Sequence, residues 1–391
     1  MTDQRALIVG AGIGGLTASL CLADSGFDVE VFEQAEEISE VGAGIQLSPN
    51  CSRVLHYLGL EPVLKAIAYI PEVAEIRDWK SGKLLSSTPL GDKAVEKYGA
   101  PYYHIHRADL ISALYQLAIN HPKIEVTTAS RIEGFVAPLK GVVLHCNGKE
   151  VSGDMLIGAD GIRSLIRSEL FPEQESRFTG NVAWRGLVRA DRMPAGMIPP
   201  VAGLWWGPRK HFVHYYVRRG ELINCVCVVE KSGWEVESWT ERGTLQELEE
   251  DFEGWDESIG LLIEAMDPDE CFKWALFDRV PMPSWGRGRV SLLGDACHAT
   301  LPFLAQGAAM AIEDAVVLAA CVEVEGIDPG LRKYESLRMP RTARIQDASR
   351  RNSRIFHMSG VKSWARNGVA GLAADKVLDW IYRYNPFDMP V

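Results

Sequence analysis

The sequence lacks the repeated short cysteine spacings that mark metal sites and disulfide frameworks. Its eight cysteines include no CxxC pair, and the one close couple is Cys225 and Cys227. Zinc ligands and bridged secreted folds normally show such spacings. Their absence predicts buried thiols in a reducing compartment and no bound metal.

Long basic runs and long apolar runs are also missing. The net charge is -11, and this argues against a nucleic-acid partner because phosphates require a basic face. The opening residues MTDQRALIVG contain no basic segment followed by a long apolar stretch, and no later run approaches the length of a membrane span. We therefore expect a cytoplasmic protein without nucleic-acid or membrane partners.

What remains is an ordinary globular composition. The 391 residues are 47% hydrophobic and 24% charged, which is enough chain for two domains that each bury a core. We find no repeat of fixed period and no low-complexity tract.

The first residues have the pattern of a strand, a tight turn, a helix and a second strand. Gly10, Gly12 and Gly15 satisfy GxGxxG between the first strand, RALIVG, and the helix that follows. The first glycine permits the turn, the second lets the backbone approach a pyrophosphate, and the third lets the helix pack on the strand. Glu33 ends the second strand and can accept hydrogen bonds from ribose hydroxyls. The motif predicts a dinucleotide site without separating FAD from NAD.

Two more apolar strands are predicted to end in a carboxylate. IGADGIRSLIR places Asp160 at a strand end, and RVSLLGD does the same for Asp295. Ligands bind at the carboxyl ends of strands in open α/β sheets. Capping of a helix that begins near Ile162 would explain Asp160 equally well. Asp295 suits a polyol such as a ribityl chain.

The segment LPFLAQGAAMAIEDA predicts a helix entered through Gln306 and Gly307. The helix start offers unpaired N–H groups that would stabilise negative charge on a flat ring, such as that of a reduced flavin. The adjacent Cys297 and His298 raise the alternative of a metal or thiol hydrolase. Neighbouring residues rarely point to one centre, so we expect both to be turn and packing residues.

The middle of the chain, from about 178 to 283, contains aromatic, alternating segments that predict an antiparallel sheet. In KHFVHYY, His211 and Tyr215 share one strand face, while Phe212 and His214 share the other. Elsewhere, GVVLHCNGKEV predicts a hairpin with a turn at Asn147 and Gly148. A helix is predicted from Arg107 onward, and the chain after the carboxylate at Asp295 is predicted to be largely helical.

Three ordered motifs together resemble one family. GxGxxG with Glu33, GADGIRS, and LLGDACHATLPFLAQGAAMAIEDA are similar to the single-component FAD-dependent aromatic hydroxylases, the group A flavoprotein monooxygenases. Within that group, EVGAGIQLSPN, YHIHRADL and GPRKHFVHYYVRRGE resemble the monohydroxybenzoate branch, meaning salicylate hydroxylase and 3-hydroxybenzoate 6-hydroxylase. A related 6-hydroxynicotinate 3-monooxygenase shares GDACH.

The resemblance implies an α/β fold like that of p-hydroxybenzoate hydroxylase. A Rossmann-like FAD-binding domain would comprise residues 1–71, 105–177 and 284–330. An interleaved antiparallel-sheet substrate domain would comprise residues 72–104 and 178–283, and residues 331–391 would form a helical C-terminal tail. We also expect a homodimer, with the tail as one candidate contact.

The resemblance also implies roles for individual residues. The expected FAD contacts are Gly10, Gly12, Gly15, Glu33, Arg107, Asp160 and Asp295, with Pro302, Gln306 and Gly307 near the isoalloxazine. His211 and Tyr215 match the histidine and tyrosine of the substrate pocket. NADH or NADPH would bind transiently, since only one Rossmann fingerprint is present.

The implied reaction hydroxylates a small phenolic aromatic acid. NAD(P)H would reduce FAD, O₂ would add to give the flavin C4a-hydroperoxide, and its terminal oxygen would pass to the ring. His211 would deprotonate the phenol and Tyr215 would orient the oxyanion. Arg185 or Arg209 could meet a substrate carboxylate, although a solvated surface is the expected place of Arg209.

The sequence does not determine which substrate is used, because of the residue at position 303 and because two alternative functions fit the same motifs. The 6-hydroxynicotinate and salicylate relatives place a histidine after the proline, where this chain has Phe303. The alternatives are hydroxylation of a nitrogen heterocycle such as 6-hydroxynicotinate, and a flavin-binding redox protein without hydroxylase activity. The ring position and the choice between NADH and NADPH stay open as well.

Overall fold

The computed structural model describes residues 4–38, 43–173, 176–231 and 242–391, without the side chains at 361, 364 and 369–377. Within these residues the strands are β1 (Arg5–Val9), β2 (Asp28–Phe32), β3 (Gly44–Leu47), β4 (Val73–Asp78), β5 (Leu84–Pro89), β6 (Tyr103–His106), β7 (Ile124–Thr127), β8 (Ile132–Val136), β9 (Val142–Cys146), β10 (Lys149–Gly153), β11 (Met155–Gly158), β12 (Arg177–Arg189), β13 (Ala202–Gly207), β14 (Lys210–Val217), β15 (Leu222–Glu230), β16 (Phe272–Asp278), β17 (Gly286–Arg287) and β18 (Val290–Leu292). The α-helices are α1 (Ile13–Asp24), α2 (Pro49–Tyr57), α3 (Glu61–Ile67), α4 (Gly91–Tyr98), α5 (Arg107–Asn120), α6 (Leu165–Leu170), α7 (Leu245–Asp251), α8 (Glu257–Glu264), α9 (Asp295–His298), α10 (Gly307–Glu325), α11 (Ile327–Phe356) and α12 (Gly360–Tyr382).

A six-stranded sheet, in the order β17-β18-β11-β1-β2-β7, forms the first layer of the fold. Strands β18, β11, β1, β2 and β7 are parallel, and β17 adds an antiparallel edge. The consecutive residues Ala6, Leu7 and Ile8 are fully buried. Because successive strand side chains point to opposite faces, both faces of this sheet are covered. The predicted βαβ unit and α/β fold are confirmed.

A three-stranded sheet, β10-β9-β8, leads into the parallel sheet. Asn147 and Gly148 have φ of 50° and 71°, the left-handed conformation of a tight hairpin turn, and they connect β9 to β10 as predicted. The next strand, β11, ends at Gly158 rather than at Asp160 as expected. Asp160 therefore lies in the loop beyond the strand end.

A seven-stranded sheet, in the order β16-β12-β15-β14-β13-β4-β5, forms the second large layer. The predicted antiparallel sheet is confirmed, with one correction. The pair β13 and β4 is parallel. Strands β4 and β5 come from residues 73–89, far earlier in the chain, and join the edge of the sheet, and a connection of this length allows a parallel pair.

The end of the chain is helical, as predicted. Helices α10 and α11 approach so closely that a Cβ at Gly330 would lie 2.6 Å from the backbone oxygen of Cys321, so this contact requires glycine. Helix α11 continues through Pro340, and α12 follows it. Among the described helices, none combines the length and apolar character needed to cross a bilayer.

Candidate active site

The glycine-rich loop between β1 and α1 has the shape that a dinucleotide requires. Gly10 has φ of +104°, and a Cβ there would lie 2.5 Å from the backbone oxygen of Ala159. A Cβ at Gly15 would lie 1.9 Å from the oxygen of Gly10, whereas one at Gly12 would meet no described atom within 4 Å. Close packing therefore demands glycine at two positions, and the third faces open space for a pyrophosphate at the start of α1.

Glu33 follows β2 and lies beside this loop. Its Oε2 accepts a hydrogen bond from the Ala11 N–H at 2.9 Å, and its Oε1 accepts one from the Ala35 N–H at 3.0 Å. These bonds orient the carboxylate at the edge where the adenosine ribose of FAD would lie. The ribose contact itself stays a prediction, as does the FAD contact of Arg107, the first residue of α5.

Asp160 has one of the two roles that its sequence context left open, the helix cap, and the ligand contact stays a prediction. Its Oδ2 accepts hydrogen bonds from the N–H groups of Leu165 and Ile166, at 2.7 and 3.2 Å. It thus caps α6, which begins at Leu165 and not near Ile162. Burial raises the pKa of Asp160. Its Oδ1 is buried without a hydrogen-bond partner among the described residues. That oxygen, beside the glycine-rich loop, is available to a ligand.

A cavity of about 440 Å³ lies between the seven-stranded sheet and the start of α10, and this volume suits a small-molecule site. It brings together most of the residues predicted to lie near the flavin ring and the substrate. The predicted residues among its described lining are Arg185, His211, Tyr215, Asp295, Pro302, Phe303, Gln306 and Gly307. Residues from a distant part of the chain complete its wall, including Gly44, Ile45 and Gln46 of β3.

The start of α10 forms one wall of this cavity, the wall at which the flavin ring is predicted to lie. Gly307 and Ala308 line the cavity, and a Cβ at Gly307 would find its nearest atoms only at 3.9 Å. The side chain of Gln306 donates to Ser48 Oγ at 2.9 Å and accepts from Asn50 Nδ2 at 3.1 Å. These bonds fix the residue that precedes the helix. An unobstructed helix start of this kind suits the negative edge of a flat ring.

His211, on β14, lines the same cavity, on the side where the substrate is predicted to bind. It is 3% exposed, and the rings of Phe303 and Phe356 lie with centroids 5.1 and 5.4 Å from its own. Its Nδ1 lies 2.9 Å from Nε2 of His357. Burial, followed by the charge of His357, lowers the pKa of His211 well below its usual value. The imidazole is therefore neutral near pH 7, as a general base must be.

Tyr215 and Arg185 line the cavity, whereas Arg209 lies on the surface. Tyr215 lines the cavity with His211, as the strand spacing predicts, and burial raises its pKa against the opposing charge of Arg185. Arg185 also lines the cavity, with its guanidinium carbon 4.9 Å from the ring centroid of Trp274. Arg209 is absent from the described lining. Its side chain is 71% exposed and lies 3.2 Å from Glu230, which supports the surface role expected for it.

Cys297 and His298 lie in a different, closed environment. The Cys297 thiol donates to the backbone oxygen of Gly294, and His298 Nε2 lies 2.5 Å from Asp314 Oδ2. These three side chains could in principle ligate one ion, but Arg338 Nε lies 2.6 Å from the other oxygen of Asp314. A cation there would meet the guanidinium charge, and burial raises the pKa of the Cys297 thiol well above its usual value. This environment supports a packing role.

Sequence reasoning missed two residues of the site, His357 and Glu230. His357 follows α11 and Glu230 ends β15, and each contacts a partner more than 100 residues away. Nothing in their local sequence indicates those contacts. The segment EVGAGIQLSPN, used above for the resemblance, lies partly outside the described residues, because these resume at Ala43.

Comparisons with known proteins place the chain in a family. Residues 3–349 match the family described as FAD binding domain. A 3-amino-4-hydroxybenzoate 2-monooxygenase of Streptomyces platensis is 38% identical over 90% of this chain and 89% of its own. A 3-hydroxybenzoate 6-hydroxylase of Polaromonas naphthalenivorans is 36% identical over 98% and 96%. A 6-hydroxynicotinate 3-monooxygenase of Pseudomonas fluorescens is 35% identical over 100% and 97%. The aminohydroxybenzoate enzymes are a branch that the sequence motifs did not suggest.

Solved structures agree with this placement. Klebsiella pneumoniae HpxO, complexed with FAD and uric acid, superposes with a TM-score of 0.87 at 28% identity, over 100% of this chain and 98% of its own. A salicylate hydroxylase in a substrate complex gives a TM-score of 0.82 at 25% identity, over 99% and 97%. The glycine-rich loop, the buried oxygen of Asp160 and the open start of α10 fit FAD. The chain therefore belongs to the FAD-binding domain family and, within it, to the FAD-dependent aromatic monooxygenases.

Proposed function

We propose that this enzyme hydroxylates a small aromatic acid that carries a ring hydroxyl, at the expense of NAD(P)H and O₂. The observation that carries the proposal is the shared cavity, in which the neutral base His211 and the open helix start at Gly307 line one space. The glycine-rich loop, Glu33, Asp160 and Asp295 would hold FAD, which supplies the redox and oxygen chemistry when bound.

His211 prepares the ring for attack. Its Nδ1 is engaged by His357, so Nε2 is the nitrogen that accepts the proton of the substrate hydroxyl. The resulting phenolate has the electron density that an electrophilic oxygen requires. Tyr215, four residues along the same strand face, would orient the phenolate oxygen.

Arg185 is the residue that we propose binds the substrate carboxylate. Of the two candidate arginines, Arg185 is the one that lines the cavity. Guanidinium groups recognise carboxylates through paired hydrogen bonds. Phe303, Phe356, Trp206 and Trp274 supply apolar walls to the same cavity. Such walls exclude bulk water, which favours hydroxylation over release of hydrogen peroxide.

The names of the relatives support this substrate class. The three curated relatives described above act on 3-amino-4-hydroxybenzoate, 3-hydroxybenzoate and 6-hydroxynicotinate by name. All three compounds combine an aromatic ring, a ring hydroxyl and a carboxylate. A phenolate-forming base and an arginine in one cavity match those shared features.

The test is a product assay. The FAD-loaded enzyme is supplied with ¹⁸O₂, NADH or NADPH, and separately with salicylate, 3-hydroxybenzoate, 3-amino-4-hydroxybenzoate and 6-hydroxynicotinate. We expect one phenolic acid to gain a single labelled oxygen, with product formed in proportion to the NAD(P)H consumed. Labelled product from 6-hydroxynicotinate alone would support the heterocycle alternative. Oxidation of NAD(P)H with only peroxide formed would contradict the proposal.

The setting of the enzyme is a further part of the proposal. All eight cysteines lie within the described residues as buried free thiols, which supports a reducing compartment such as the cytoplasm.

We also propose that the enzyme is a homodimer. The direct measurement is the mass of the FAD-loaded enzyme by light scattering as it elutes from a size-exclusion column. A mass near one chain of 43.2 kDa would contradict it.

A further inference from the structure

A chain of hydrogen bonds leads from the cavity wall to the protein surface. His211 Nδ1 lies 2.9 Å from His357 Nε2, and His357 Nδ1 lies 3.1 Å from Glu230 Oε1. The two histidines are 3% and 5% exposed, whereas the Glu230 side chain is 37% exposed. The chain thus begins at the substrate cavity and ends in solvent.

The carboxylate at the outer end sets the tautomers of both rings. An ionised carboxylate only accepts, so His357 donates from Nδ1 to Glu230. His357 Nε2 then carries a lone pair and accepts from the Nδ1–H of His211. His211 is left with its own lone pair on Nε2, the nitrogen that can receive a substrate proton. Glu230 therefore acts on the base through two imidazole rings.

We propose that His357 and Glu230 form a proton relay that carries the hydroxyl proton of the substrate from His211 to solvent. This inference rests on the proposed function, in which His211 is the base. The substrate O–H bond breaks as an N–H bond forms at His211 Nε2. The Nδ1 proton of His211 passes to His357 Nε2, and the Nδ1 proton of His357 passes to Glu230 and then to water. The reverse transfers return a proton to the product oxygen and restore both tautomers.

The surroundings of His211 explain why a relay is needed. Phe303 and Phe356 pack against its ring, and an isolated imidazolium is costly in such an apolar site. Passing the charge outward leaves the added proton at a surface carboxylate. Within the part of the chain that the structure describes, the other charged groups near the relay are Arg209, beside Glu230, and Arg366 of α12, which faces the charge of Asp78. Guanidinium groups cannot accept the proton, so Glu230 is the outlet.

The experiment compares Glu230→Gln and His357→Gln with the wild type. Glu249→Gln is the matched control, because Glu249 is an exposed carboxylate on α7. The FAD-loaded enzymes are mixed in weak buffer with a phenolic acid that gives product, and proton release on binding is followed with a pH indicator. Hydroxylation is then started with NAD(P)H and O₂ and is measured separately as product formed. We expect release and hydroxylation to slow by about tenfold or more in both relay variants, from the usual size of general-base effects. The control should match the wild type.

A second substrate separates proton transfer from structural damage. With a nitro-substituted phenolic acid that is already ionised at the assay pH, no proton has to leave, so the relay variants should lose less than about twofold. Equal losses on both substrates would overturn the relay.

Proton release at the wild-type rate in Glu230→Gln would also overturn the relay, and this variant changes only a surface residue. If the wild type hydroxylates no phenolic acid, both proposals fail. If it does so, and His211→Gln is impaired while the two outer variants are not, the relay alone is wrong.

Discussion

His298 and His211 are both buried histidines with a hydrogen-bonded ring nitrogen, and their surroundings differ. His298 contacts Asp314, which also binds Arg338, and all three side chains are at most 1% exposed. His211 contacts a second histidine, which contacts the partly exposed Glu230, and its ring lines a cavity. We call His298, Asp314 and Arg338 the closed cluster, because all three side chains are buried and the arginine supplies a permanent positive charge. We call His211, His357 and Glu230 the open cluster, because it meets the cavity at one end and solvent at the other.

This difference shows that two buried histidines of one chain can have surroundings suited to different roles. In the closed cluster, burial would raise the pKa of Asp314, but the charges of His298 and Arg338 outweigh it and the pKa is lowered. In the open cluster, burial lowers the pKa of His211, and hydrogen bonds connect its ring through His357 to the partly exposed Glu230. We therefore expect substitutions in the closed cluster to reduce stability, and substitutions in the open cluster to reduce turnover.

The largest expected effect comes from opening the closed cluster with Arg338→Met. The guanidinium lies 2.6 Å from Asp314 and 2.8 Å from Glu313, so its removal takes away the counter-charge that these two buried carboxylates share. We expect the free energy of unfolding to fall by about 3–5 kcal/mol, measured by urea titration. Arg354→Met, at an exposed position of α11, should change it by less than about 0.5 kcal/mol. Similar values for the two variants would contradict the buried network.

The next largest effect is expected for His211→Gln in the open cluster. Glutamine keeps a polar side chain but cannot accept the phenol proton, so hydroxylation should fall by about 100-fold or more. FAD should stay bound, because the glycine-rich loop is untouched, and its absorbance per protein measures this. Hydroxylation at the wild-type rate would show that another group is the base.

A smaller effect is expected for Arg185→Lys, which tests the cavity beside His211. Lysine keeps the charge but loses the planar pair of donors, so KM for a carboxylated substrate should rise by about tenfold. The corresponding phenol without a carboxylate should show little change. Arg209→Lys, at the exposed outer end of the open cluster, is the control and should leave both KM values unchanged. A rise in KM for both substrates would argue against carboxylate binding by Arg185.

The smallest effect concerns pH and stability. Burial lowers the pKa of His211, so below the unfolded value of about 6.5 the unfolded chain binds a proton there that the folded protein does not. Stability therefore falls as the pH falls, by roughly 0.7 kcal/mol between pH 7 and 6 for this one residue. His211→Gln should lose that part of the pH dependence, and His145→Gln, at a 36% exposed side chain, is the control. Identical pH dependence in His211→Gln and the wild type would contradict a neutral buried imidazole.

Much of the fold could be predicted because local sequence determines it. The glycine-rich loop, the hairpin at Asn147 and the helix start at Gly307 depend on backbone conformations and periodicities that a few adjacent residues set. The shared face of His211 and Tyr215 follows from strand geometry alone. The family resemblance then connected these segments into one site.

The rest depends on distant pairings that local patterns do not encode. The parallel contact of β4 with β13 joins segments more than 100 residues apart, and His357 reaches His211 across 146 residues. Whether a buried histidine is connected to solvent, as His211 is, or enclosed by charged partners, as His298 is, depends on such contacts. The roles of the individual site residues toward FAD and substrate stay predictions until they are measured.

The most direct test of the central claim is the ionisation of the bound substrate. The FAD-loaded wild type and His211→Gln are mixed near pH 7, without reductant, with the phenolic acid that gives product, and the phenolate absorbance is recorded. We predict a phenolate band in the wild type and a spectrum of bound neutral phenol in the variant, at matched substrate saturation. Equal phenolate in both would contradict the assignment of His211 as the base.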